Sequence, residues 1–181
     1  MKISAGGIAG ILVLEPKVHE DGRGFIFESF NQPVFEEQTG LRPNFVQDNH
    51  SRSTKNVLRG LHYQIRHPQG KLARVVSGEV FDVSVDLRKS SATFGKWFGI
   101  TLSETNRRML WIPEGFAHGF LVLSETADFL YKTTDYYAPE HERTIIWNDP
   151  DLGIDWPLSS PPVLSEKDKQ GKKLPQAEVF M

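Results

Sequence analysis

At 181 residues, with 39% hydrophobic and 24% charged side chains, the chain has the length and composition of one globular domain with a real core, and residues 1–181 are read as a single unit. A formal net charge of −2 offers no basic field for nucleic acid, although local Arg and Lys can still hold a small anion, and the lack of cysteine excludes disulfides and thiolate metal sites. No apolar run approaches the ~20 residues of a membrane span, and the glycine-rich start does not read as a signal peptide, so a cytoplasmic protein without a membrane partner is expected.

The predicted elements are mostly short strands separated by turns, the pattern of an all-β sandwich or barrel. A short helix is predicted over residues 33–38, capped by Asn31 or Gln32 and stopped by Gly40. The turn Ser77-Gly78-Glu79 opens a strand in which Phe81, Val83, Val85 and Leu87 alternate with Asp82, Ser84 and Asp86. The polar face of that strand is expected at solvent for Asp86; for Asp82, solvent and the interior of a ligand-holding barrel are equally good readings. Further strands are predicted over 96–102, 108–112, 119–123, 127–133 and 144–147, each rich in β-branched or aromatic residues and ending near a turn. The proline-rich stretch 156–162 reads as a surface crossing, and Ser165 with Asp168 has the spacing of a capping box opening a second short helix. No internal repeat, low-complexity tract or linker interrupts this pattern.

The chemistry concentrates in Arg59-Gly60-Leu61-His62-Tyr63-Gln64, followed closely by Gln69-Gly70-Lys71. A histidine that accepts a proton and an ammonium that steadies an oxyanion are what proton removal beside a carbonyl requires. Crowding Arg59 and Lys71 around His62 is costly unless an anion sits among them, and the repulsion favours a neutral, proton-accepting imidazole, so a negatively charged substrate is expected. His118, in Pro113-Glu114-Gly115-Phe116-Ala117-His118-Gly119-Phe120, adds a second histidine after a turn. It suggests a metal site with His62, but Gln64 stands where a His-x-His pair needs its second imidazole and Lys71 opposes a cation. Tyr131, on a predicted strand, reads by itself as a core tyrosine with a satisfied hydroxyl. Tyr136 and Tyr137 fall on a loop, where a ring either stacks on a planar base or folds back on the barrel. Arg23, in Asp21-Gly22-Arg23-Gly24-Phe25, sits in a glycine-flanked turn suited to phosphate, or is an ordinary surface arginine.

Taken with Phe45-Val46-Gln47-Asp48-Asn49-His50-Ser51, Gly78-Glu79-Val80-Phe81-Asp82-Val83, Tyr136-Tyr137-Ala138-Pro139 and Leu164-Ser165-Glu166-Lys167-Asp168, these motifs run in order along nearly the whole chain. In that order and spacing the sequence resembles the dTDP-4-dehydrorhamnose 3,5-epimerase family. The resemblance implies a cupin-type β jelly roll with a few short helices, a homodimer, a dTDP-sugar substrate, and no metal or organic cofactor; Gln64 replaces a ligand of metal-binding cupins. The implied reaction converts dTDP-4-dehydro-6-deoxy-D-glucose to dTDP-4-dehydro-L-rhamnose, in dTDP-L-rhamnose biosynthesis, by proton abstraction and return beside the C4 ketone. By the same resemblance His62 is the base at C3 and C5, Asp168 its carboxylate partner, Lys71 the stabiliser of the enolate oxygen, and Tyr131 the acid on the opposite face. The catalytic role of Asp168 competes with its capping-box reading. Arg23, Glu28, Gln47, Asn49, Arg59, His118, Glu142 and Lys167 are implied to hold the nucleotide-sugar and Tyr137 to stack on the thymine, with Arg23 and Glu28 acting across the subunit interface. His141 and Arg143 make the loop around Glu142 more basic than the family pattern. Three other readings stand beside this one: a single-site epimerase or ketoisomerase, a metal-dependent cupin oxygenase, and a silent sugar-nucleotide-binding cupin. The epimerase reading rests on a neutral His62 imidazole and the Lys71 ammonium converging on one ketosugar inside the barrel, and it expects the two side chains neither on opposite walls nor outside a cavity.

Overall fold

The computed structural model describes residues 1–181. In chain order the strands are β1 Lys2–Ala5, β2 Leu12–Glu15, β3 His19–Asp21, β4 Gly24–Ile26, β5 Gln47–Thr54, β6 Leu58–Gln64, β7 Lys71–Ser77, β8 Glu79–Asp86, β9 Trp97–Ser103, β10 Met109–Ile112, β11 Phe116–Val122, β12 Thr126–Thr133 and β13 Glu142–Thr144. Two short α-helices, α1 Gln32–Thr39 and α2 Glu166–Lys169, and single 3-10 turns at Pro139–His141 and Leu174–Gln176 complete the regular structure. One sheet runs β1-β2-β10-β7-β12-β5 and a second runs β13-β6-β11-β8-β9, while β3 and β4 form a separate hairpin. Every strand pairing within them is antiparallel, and the two sheets face one another as a cupin-type β jelly roll.

The predicted strands from residue 96 to 133 coincide with β9 to β12 to within three residues at any end. Alternation explains their placement: on β12, Ala127 and Phe129 point into the core between the sheets, where they meet Val80, Leu110, Phe120 and Val122. The strand expected over 144–147 lies earlier, as β13, followed by an isolated bridge at Ile145. Helix α1 begins where expected, because the Asn31 side chain accepts the Val34 N–H, and it ends at Gly40, whose φ of 71° suits a residue without Cβ. Its Phe35 is buried against Leu14, Leu72, Met109 and Trp111 on the outer face of the six-stranded sheet. Burying such a ring is worth about 1.5–3 kcal/mol, so α1 acts as a lid that holds this sheet's outer face dry.

The five-stranded sheet is covered differently. Val83 and Val85 of β8, with Leu87 just beyond its end, pack outward under the C-terminal segment, in a cluster with Leu61, Tyr63, Leu152 and Trp156 that Leu174, Val179 and Phe180 extend. Asp149 anchors this cover: one carboxylate oxygen accepts the Leu174 N–H at 2.6 Å and the other the Asp151 N–H at 3.0 Å. The proline-rich stretch does cross the surface at Leu158–Ser160, but Trp156 itself is buried and its indole N–H donates to the Trp147 carbonyl.

With its apolar face roofed from outside, β8 turns its polar face inward. Asp86 is therefore not at solvent, as its pattern suggested, but fully buried. Its carboxylate accepts from Arg88 Nε and Nη2, Ser91 Oγ and Thr93 Oγ1 at 2.6–2.9 Å. Burial pushes Asp86 up, and these donors outweigh it and bring the carboxyl down to about 2. A period-two pattern reports that a strand has two faces; which one is interior depends on what covers each.

Candidate active site

Between the two sheets lies a cavity of about 390 Å³, of the size that takes a small ligand. His62 and Arg59 enter it from β6, His118 from β11, Lys71 from β7, Tyr131 from β12, and Gln47 and Asn49 from β5. Tyr137, Glu142 and Lys167 line its rim. The residues brought together are thus most of those singled out in the sequence, and His62 and Lys71 do share one cavity. They reach it from facing sheets, as do His62 and Tyr131, so the expectation that base and ammonium avoid opposite walls is corrected: they converge because side chains from both sheets point into the same cavity.

Arg59 and His62 are three residues apart, yet both face inward. The register explains this: His118 pairs with His62 and Phe120 with Arg59, so β6 carries an extra residue opposite Gly119. Gly60, at φ 134°, sits so close to Gly119 that a Cβ there would lie 2.6 Å from the Gly119 Cα. Only glycine permits that approach, and the bulge it allows delivers guanidinium and imidazole to the same wall.

His62 has 26% of its side chain accessible, whereas Asp168 behind it has 4%. Asp168 Oδ1 lies 2.6 Å from His62 Nε2 and also accepts the Gly60 N–H at 3.3 Å. Its Oδ2 accepts the Ser165 hydroxyl at 2.6 Å, while the Asp168 N–H donates to Ser165 Oγ at 3.2 Å. The capping-box and dyad readings of Asp168 therefore both hold, since a carboxylate has one oxygen for each. Burial pushes Asp168 up, but the hydrogen bonds from His62 and Ser165, the His62 charge and the Gly60 N–H together bring it down to about 2. An ionised Asp168 can only accept, so His62 Nε2 carries hydrogen and, in the neutral ring, Nδ1 is the atom free to take a proton.

Lys71 is 7% exposed and burial drives its ammonium down to about 8, with Glu142 and Asp82 pulling the other way. A poorly hydrated cation of this kind is a strong partner for developing negative charge. The Tyr131 phenol is pushed up, by burial first and then by the Glu142 charge, so it is held as the proton-bearing form. Arg59 is oriented by Ser53, whose Oγ accepts its Nε–H at 3.0 Å.

At the rim, Glu142 accepts the Tyr137 hydroxyl at 3.0 Å and the Lys167 ammonium at 2.8 Å. The extra basic residue Arg143 turns away to Glu178, leaving Glu142 in the cavity. Gln47 accepts the Tyr137 N–H and donates to Asn49, tying the rim loop to β5. Gln64 laces the same loop, accepting the Ala138 N–H and donating to the His67 and Tyr136 carbonyls. This lacing role escaped the sequence reading, which weighed Gln64 only as a missing metal ligand. Ser165 was read as a cap alone, although its spacing to Asp168 carried the signal.

Arg23 and Glu28 do not line this cavity. Arg23 sits on the β3–β4 hairpin, 91% exposed and paired only with Asp21, beside Phe25 and Ile26 at 57% and 74% exposure. Glu28 donates nothing to the cavity wall; it accepts from Asn31 at the start of α1.

Residues 6–176 match the family model described as dTDP-4-dehydrorhamnose 3,5-epimerase. The dTDP-4-dehydrorhamnose 3,5-epimerase of Pseudomonas aeruginosa is 62% identical over 180 residues, covering 99% of each chain. Among solved structures, an epimerase from Legionella pneumophila in complex with dTDP-4-keto-L-rhamnose superposes with a TM-score of 0.96 at 54% identity, covering 98% of this chain and 94% of that one. A 3'-monoepimerase from Streptomyces bikiniensis in complex with dTDP-quinovose superposes with a TM-score of 0.88 at 34% identity, covering 93% and 86%.

Proposed function

We propose, for a chain that belongs to the dTDP-4-dehydrorhamnose 3,5-epimerase family, that the cavity between its sheets inverts C3 and C5 of dTDP-4-dehydro-6-deoxy-D-glucose to give dTDP-4-dehydro-L-rhamnose. The protein is an isomerase of dTDP-rhamnose biosynthesis, working on a nucleotide-sugar. The observation that carries the mechanism is a base on one wall of the cavity with an acid and a buried cation on the facing wall: His62 backed by Asp168, and Tyr131 with Lys71 opposite.

The C4 ketone acidifies the C–H bonds on either side of it. His62 Nδ1 removes a proton at C3 or C5, the electron pair moves into an enolate, and its oxygen is steadied by the Lys71 ammonium. Tyr131 gives a proton to the opposite face of the carbon, inverting it, and the ketone re-forms. Because one enolate oxygen serves both neighbouring carbons, one constellation handles two centres in turn. General acid–base help contributes about 10²–10⁴ in rate and an aimed oxyanion partner about 10²–10³. Proton loss and return leave the oxidation state unchanged. Arg59, His118, Gln47, Asn49, Glu142 and Lys167 hold the sugar-diphosphate and Tyr137 stacks on the base.

The enzyme works as a homodimer in this reading. The exposed Phe25 and Ile26 support an interface at the β3–β4 hairpin, which carries Arg23 toward the cavity of a second copy, with Glu28 following in the segment that leads to α1. No helix is long and apolar enough to cross a membrane, and we place the enzyme in the cytoplasm.

Incubation with dTDP-4-dehydro-6-deoxy-D-glucose in deuterated water is expected to label both C3 and C5 in the product. Label at C3 alone would instead favour the activity named for the Streptomyces bikiniensis relative. Absence of label at both carbons would end the reading.

A further inference from the structure

His118 stands directly opposite His62 in the β6–β11 register, so the two imidazoles leave the same wall side by side. Each is backed by a carboxylate: His62 by Asp168, and His118 by Asp82, whose two oxygens lie 3.0 and 2.9 Å from His118 Nε2. The two pairs are supported very differently. Asp168 shares its charge among His62, Ser165 and Gly60, whereas Asp82 is fully buried and accepts from no group besides His118. A buried carboxylate with one donor is expensive, and a chain built only for stability would fill the position with an apolar side chain.

On the epimerase reading given above, we propose that Asp82 is a positioning residue of the reaction. Through His118 it fixes which ring nitrogen faces the substrate, and as a buried counter-charge it keeps Lys71 an ammonium while the enolate forms. The carboxylate oxygens take the Nε2 hydrogen, which leaves His118 Nδ1 for the substrate. The charge argument follows from the cavity's inventory. The titratable groups around Lys71 are His62 and Arg59 on β6, His118 on β11, Tyr131 on β12, Asp82 on β8, and Glu142 with Lys167 at the rim. Of the two carboxylates acting on Lys71, Glu142 is the larger influence but is already engaged by Lys167 and Tyr137. Asp82 touches no lysine or arginine, so with His118 as a neutral imidazole its charge is left to act on Lys71, and its place beneath His118 keeps it away from an incoming diphosphate at the rim.

The test is the pH dependence of kcat for Asp82→Asn, which keeps an acceptor for His118 but removes the charge. Without that charge Lys71 loses its proton at lower pH, so the deficit relative to wild type is expected to be smallest near pH 6.5, to grow as pH rises toward about 8, and to level off above it where both proteins lose the ammonium in parallel, while KM stays within about threefold. A deficit that is constant from pH 6.5 to 9, or no deficit, would overturn the proposal, because a merely structural role does not track the protonation of Lys71. If Asp82→Asn fails to fold, the double variant Asp82→Asn/His118→Gln, a neutral hydrogen-bonded pair, carries the same measurement with the same two outcomes. Solvent-deuterium exchange by the wild type is run alongside. Exchange in the wild type with a pH-independent deficit in the variant rejects Asp82's role alone, and absence of exchange in the wild type rejects the epimerase reading and this one with it.

Discussion

Replacing Ser165 by Ala removes one hydroxyl that does two jobs, capping α2 and holding the carboxylate behind the base. A hydrogen bond to a charged group contributes about 1.5–3 kcal/mol and a Ser cap about 1 kcal/mol. Because both describe the same hydroxyl they do not simply add, and a loss of about 2–3 kcal/mol is expected. For a chain of this size that lowers Tm by about 4–10 °C. The sign of the pH dependence is set by Asp168, whose folded carboxyl is brought down to about 2 from 3.8. A depressed acid stabilises above its unfolded value and loses that contribution as pH falls through the folded one. The gap between wild type and Ser165→Ala is therefore full at pH 7 and narrows between pH 4 and 2, measurable by urea denaturation at both ends. In catalysis, a loosened Asp168 lets the His62 ring wander, so kcat is expected to fall about tenfold with KM nearly unchanged. Ser165→Thr, which keeps the hydroxyl, recovers both properties. A Ser165→Ala protein with wild-type Tm and wild-type kcat would refute the claim that the cap orients the base.

Lys71→Met should abolish turnover by about 10²–10³ while making the protein more stable at pH 7, because holding the ammonium down at about 8 costs about 3 kcal/mol. That cost is present below pH 8 and disappears as pH rises toward 10.5, so a denaturation series at pH 7 and pH 10 should show the variant's advantage shrinking. Ser84→Ala removes a buried hydroxyl that has no hydrogen-bond partner, and thermal melting should find the variant equal to wild type or stabilised by about 1 kcal/mol; a clear loss of Tm would contradict this. Mixing inactive His62→Ala with inactive Arg23→Ala and re-equilibrating should restore about a quarter of wild-type activity, since half the dimers are mixed and one of their two sites then carries neither lesion. If Arg23 served its own cavity, every site would carry one lesion and nothing would return.

What could be read from the chain before folding, and what could not, follows from the range of each signal. The α1 cap, the Gly40 stop, the Ser77–Glu79 turn and the strand at 127–133 are decided within a few residues, and they appear where expected. Strand β5 could not be read this way: Gln47–Thr54 is polar on both faces, because its inward residues line a cavity for a polar ligand and not a greasy core. Gln47 and Asn49 were accordingly reachable only through family resemblance. Asp86 was misplaced because the roof over β8 comes from residues more than sixty positions away. Asp168 and His62 are 106 positions apart, and no local pattern could have joined them. The C-terminal segment that buries Val83, Val85 and Leu87 also carries α2 to the back of β6. One stretch of chain therefore supplies both the hydrophobic cover that forces Asp82 inward and the carboxylate that holds the base. On this account the two histidine–carboxylate pairs depend on one packing event, and damage to the C-terminal cover, for example Trp156→Ala, should impair both together.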